Sequence, residues 1–101
     1  MESPILSQLI QLLRGLYEDT QGFLECQDDP QLWYNRGYAN GMVLAMRSLG
    51  HGDALPPELA LDPDGEVWGQ IAQQALTPWG RAHAHGLEMG RNETIEVLEA
   101  A

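Results

Sequence analysis

Tyr34-Asn35-Arg36-Gly37-Tyr38-Ala39-Asn40-Gly41-Met42-Val43-Leu44-Ala45 is met again, ungapped and 45 residues later, as Trp79-Gly80-Arg81-Ala82-His83-Ala84-His85-Gly86-Leu87-Glu88-Met89-Gly90. Arginine, alanine and glycine are identical at three places, and most other pairs exchange one aromatic, small or large apolar residue for another. Duplication of one helix is the simplest reading. On a helix, Trp33, Gly37, Gly41 and Ala45 recur every four positions, as do Pro78, Ala82, Gly86 and Gly90. Small residues so spaced clear a stripe of side-chain bulk and let another backbone come close. An interior glycine costs a helix about 1 kcal/mol relative to alanine, so a pair of them needs close packing to offset it. We therefore expect Gly37, Gly41, Ala45, Ala82, Gly86 and Gly90 to form a helix crossing. The sequence leaves open whether the two copies meet within one chain or across a homodimer.

Working outward, each helical segment carries its own start signal. Ser3-Pro4, Asp29-Pro30, Asp62-Pro63 and Thr77-Pro78 each place a capping side chain before a proline preset for the first helical turn. After Ser3-Pro4, the apolar residues Ile5, Leu6, Leu9, Ile10, Leu12, Leu13, Leu16 and Tyr17 recur at helical spacing, and the pattern carries the helix on through Phe23 and Leu24. The second helix, with the first copy, runs to about Leu49 and ends at Gly50-His51-Gly52. A connector with Pro56-Pro57 follows. The third helix is shorter and runs through Val67, Trp68, Ile71, Ala72, Ala75 and Leu76; the fourth carries the second copy to near Leu98. Its apolar phase drifts after Gly90, which allows a bend or break there. No sustained alternation marks a strand. The expected fold is all-α: one compact four-helix bundle over residues 1–101, made of two helical hairpins (about 3–49 and 63–99) joined by a connector at 50–62.

Fifteen acids face five bases, all arginine, for a net charge of −10. Such a surface repels nucleic acid and anionic membrane, since both bind proteins through positive charge. It suits a basic protein partner, including one whose basic groove normally holds nucleic acid. The single Cys26 forbids an internal disulfide and fits a reducing cytoplasm. The Met1-Glu2-Ser3-Pro4 start lacks the features of a secretion signal, and the apolar runs are too short to span a bilayer.

Catalytic and metal-binding patterns are weak. His83 and His85 are turned about 200° apart on a helix, so one metal cannot easily take both. His85 and Glu88 make half of a carboxylate-histidine motif whose other half is missing. Cys26 sits among acids that discourage a thiolate. We expect no enzyme, no metal and no cofactor. Two polar pairs recur in both copies, Arg36 with Asn40 and Arg81 with His85, and could build a small anion site between the duplicated helices. The acids gather at Glu18 and Asp19, and along the last helix at Glu88, Glu93, Glu96 and Glu99, of which Glu93, Glu96 and Glu99 sit at a helix C-terminus where the dipole disfavours negative charge.

In size and charge the chain resembles the small acidic inhibitors of phages and mobile elements, among them anti-CRISPR proteins and DNA mimics. The resemblance implies a non-enzymatic protein-binding module that docks Glu88, Glu93, Glu96, Glu99, Glu18 and Asp19 on a basic partner. The competing expectation is an anionic-ligand binder using Arg36, Asn40, Arg81 and His85.

Overall fold

The computed structural model describes residues 4–62 and 76–100. Among these there are three α-helices and no strand: α1 (Pro4–Asp19), α2 (Pro30–Ser48) and α3 (Pro78–Ala100), with short 3-10 turns at Phe23–Glu25 and Gly52–Ala54. The all-helical class stands. The expected third helix falls almost wholly on residues 63–75 and lies outside the described residues, as does the Ser3 cap.

The caps at α2 and α3 form as their sequences dictate. The Asp29 carboxylate accepts the Leu32 N–H at 3.2 Å, and the Thr77 hydroxyl accepts the Gly80 N–H at 3.0 Å. Helix α2 closes on Gly50, which has φ +84°. The His51 N–H reaches the Met46 carbonyl at 2.8 Å and the Gly50 N–H reaches that of Arg47 at 3.1 Å, the paired bonds of a left-handed glycine cap. Two expectations are corrected. Helix α1 stops at Asp19 instead of running through Leu24, because the Thr20 hydroxyl turns back to the Leu16 carbonyl at 2.6 Å and Gly22 takes φ +79°. Helix α3 runs unbroken through Gly90, which sits in the middle of an interhelical contact rather than at a bend.

Helices α1 and α2 form an antiparallel hairpin, with Thr20 beside Arg36 and Tyr17 beside Asn40. Helices α2 and α3 instead cross in parallel. A Cβ added at Gly37 would overlap the His83 carbonyl, and one at Gly41 that of Leu87. Reciprocally, Gly86 lies on the Tyr34 carbonyl and Gly90 on that of Tyr38. This backbone-on-backbone approach is the geometry in which Cα–H groups meet carbonyl oxygens. The crossing therefore lies within one chain, and its four glycines are buried in it.

The pairing has its own register. Gly86 follows Gly37 by 49 residues, Gly90 follows Gly41 by 49, and His83 and Leu87 follow Tyr34 and Tyr38 by the same interval. The local twofold thus lies one helical turn beyond the 45-residue spacing at which the sequences match. Ala45 is buried, while Ala82 is half-exposed because the shifted register puts glycines, not alanines, at the closest approach. Beside the crossing, Leu13 and Tyr17 of α1, Ala39, Met42, Val43 and Met46 of α2, and Leu59 of the connector make the main core. Leu55, Leu61 and Leu98 pack on its edge.

Candidate functional site

The core holds one polar node, to which each helix and the connector contribute. Arg36 projects from α2 between the rings of Tyr17 and Phe23, its guanidinium carbon 4.5 and 4.7 Å from their centroids. Its Nε and Nη2 donate to the two oxygens of Asp62 at 2.8 and 2.9 Å, a bidentate pair. Its Nη1 donates to the Thr20 hydroxyl at 3.0 Å and the Tyr17 carbonyl at 3.3 Å. One turn along α2, the Asn40 Oδ1 accepts from the Tyr17 hydroxyl at 2.8 Å and from the Asp62 backbone N–H at 3.2 Å. The Asn40 Nδ2 donates to Asp62 Oδ2 at 2.9 Å and lies 3.1 Å from His83 Nε2 on α3.

The electrostatics follow from this geometry. Burial would raise the Asp62 pKa, but hydrogen bonds from Arg36 and Asn40, with the Arg36 charge, hold it below the usual carboxylate value. His83 has no exposed surface, and burial pushes its pKa down to about 4, with Asp62 opposing and Arg36 assisting. Burial and the Asp62 charge push the Tyr17 phenol well above its ordinary value. His83 is a neutral base sealed from solvent, and Arg36 is already bound to an internal carboxylate. The node is built to hold its elements together.

The polar pairs expected to share an anion site are divided. Arg36 and Asn40 belong to the node, while Arg81 and His85 stand exposed on α3, His85 edge-on to Tyr34 with centroids 5.4 Å apart. The crossing between these helices is closed by backbone contact. Two open clefts flank Arg36 instead. One of about 310 Å³ is lined by Arg14, Tyr17, Glu18, Gln21, Glu58, Leu59 and Ala60; one of about 330 Å³ is lined by Gln21 to Glu25 and Asp62. Among the described residues, no three His, Cys, Asp or Glu side chains group as a metal site.

Sequence reasoning grouped Arg36 with Asn40 but missed Tyr17, Asp62 and His83 as their partners. Their signal in the sequence is the position of His83, Arg36 and Asn40 on helix faces adjoining a glycine stripe. Asp62 carried a plausible local role as a helix cap, which masked its long-range one.

The acids expected to bind a partner are displayed outward. Glu18, Asp19, Glu88, Glu96 and Glu99 are exposed. Glu93 is half-buried against the Tyr38 phenol, whose pKa is raised first by burial and then by that carboxylate. Arg81, His85, Glu88, Asn92, Glu96 and Glu99 follow one another at helical spacing as a single exposed stripe. Its bases stand near the N-terminus of α3 and its acids toward the C-terminus, the reverse of what the helix dipole favours. The ion pairs among the described residues are Arg14–Glu58 and Arg36–Asp62, and neither includes an acid of this stripe.

No protein-family model, no curated protein and no solved structure matches this chain. Its own residues must carry the functional reading.

Proposed function

We propose that the chain is a non-enzymatic protein-binding module, an inhibitor or adaptor of the phage or mobile-element kind, that docks the acidic half of the α3 stripe on a basic partner. The observation that carries this reading is the order of charge along α3. Three exposed glutamates, Glu88, Glu96 and Glu99, make no ion pair with another described residue. Glu96 and Glu99 also stand where the helix field disfavours them, by about 0.3–1 kcal/mol each at an exposed terminus. A basic surface, such as one that normally holds nucleic acid, offsets that cost on binding. Glu18 and Asp19, exposed at the end of α1 that lies beside Arg36 and so toward the N-terminal half of α3, would form a second, separate acidic contact. A cytoplasmic location, the four-helix plan and its origin by duplication belong to the same proposal and rest on the sequence. No helix among the described residues is long and apolar enough to cross a membrane.

Charge reversal separates binding from folding. The triple substitution Glu88→Lys, Glu96→Lys, Glu99→Lys should leave thermal stability unchanged or raised, since it aligns charge with the dipole. It should also abolish capture of a basic partner from nuclease-treated bacterial lysate. The wild-type complex should dissociate as salt screens the contact. Capture of the same partner by the triple variant would overturn the reading.

A further inference from the structure

The node contains a donor and acceptor pattern that only one protonation state satisfies. A backbone N–H can only donate, so the Asp62 N–H fixes Asn40 Oδ1 as the atom facing it at 3.2 Å. The Asp62 carboxylate oxygen at 2.9 Å can only accept, which fixes Nδ2 on the other side. Asn40 therefore presents N–H to His83 Nε2 at 3.1 Å, and that nitrogen must be without hydrogen. A proton added there sets donor against donor. Turning the amide does not help: Oδ1 would then face the Asp62 carboxylate and Nδ2 the Asp62 N–H. Either response breaks what Asn40 gives to Asp62, and Asp62 is the connector's polar tether to the helices.

We propose that this node is a proton-operated latch, which holds residues 52–62 of the connector on the helices while His83 is neutral and releases them when His83 takes a proton. Among the described residues, the charged and titratable groups turned toward His83 are Asp62 from the connector, Arg36 from α2 and, through Asn40, Tyr17 from α1; on its own helix, the neighbouring Arg81 and His85 are exposed. Once Asp62 is left on Arg36 alone, the other contacts of the connector among the described residues are the packing of Leu55, Leu59 and Leu61 and the exposed Arg14–Glu58 pair. The sign is fixed by linkage. An unfolded histidine titrates near 6.5 and the buried one near 4, so the unfolded or opened chain binds more protons between these values. The stabilisation is full above about pH 6.5 and drains away as pH falls toward about 4.

The test is an NMR titration of the full chain from pH 7.5 downward, following the His83 imidazole and the backbone amides of residues 52–62 together. We expect the connector amides to lose their native shifts at the same midpoint as the imidazole, while amides around Gly41 and Gly86 keep theirs. In His83→Gln, whose amide oxygen can still accept from Asn40, the connector should stay closed through that range. Glu58→Gln, which removes the connector's other titrating contact, should leave the midpoint in place. Connector amides that hold their shifts while His83 titrates would overturn the proposal, as would release of the connector at an unchanged pH in His83→Gln. Should that variant not fold, the comparison of midpoints within the wild-type chain decides alone.

Discussion

At the scale of single residues, identical glycines carry opposite consequences. Gly86 presses on the Tyr34 carbonyl, and no rotamer change can relieve a Cβ placed there, because the obstacle is backbone. Gly15 in α1 has nothing within 4 Å of where its Cβ would stand. Alanine gains about 1 kcal/mol of helix propensity at either site. At Gly86 overpacking outweighs that gain, so Gly86→Ala should lower unfolding free energy by about 2 kcal/mol or more. Gly15→Ala should raise it by up to about 1 kcal/mol. Urea denaturation of the two variants checks both signs, and a stabilised Gly86→Ala would mean that the helices do not touch as described. Arg36 shows a related asymmetry. Its planar fork spans both Asp62 oxygens and lies between two rings, so lysine, with one compact charge, reproduces neither.

At the scale of elements, the ends were legible and the partners were not. Asp29-Pro30 and Thr77-Pro78 announce helix starts through side-chain chemistry contained within four residues, and both caps form. Asp29→Ala should therefore cost about 1 kcal/mol, and a thermal melt indistinguishable from wild type would refute the cap's contribution. The glycine stripes were legible as a crossing for a similar reason, since their spacing is local. Their register was not. Sequence similarity pairs Gly41 with Gly86, whereas packing pairs Gly37 with Gly86, because contact rewards the closest backbone approach and not likeness of sequence. The end of α1 is set by two features that periodicity does not encode: the backward bond of Thr20 and the left-handed turn at Gly22. The node was missed because its members are scattered from Tyr17 to His83 and only the fold brings them together.

At the scale of the whole molecule, charge is the dominant fact. A net charge of −10 on 101 residues makes the folded chain repel itself, and two ion pairs among the described residues do little to relieve it. Moving from low to physiological ionic strength with sodium chloride should raise the urea midpoint, since the Debye length falls to about 8 Å and long-range repulsion is screened. A falling midpoint would show instead that attractive pairs dominate. The parallel crossing also governs how quickly the molecule can be assembled. An antiparallel hairpin can zip outward from its turn, but α2 and α3 share no turn. The chain at 49–77 must return the length of α2, about 28 Å at 1.5 Å per residue, before the first glycine finds its carbonyl. Loop closure precedes any reward from the contact, so the crossing should form after the α1–α2 hairpin, with the glycine face of α2 bare until then.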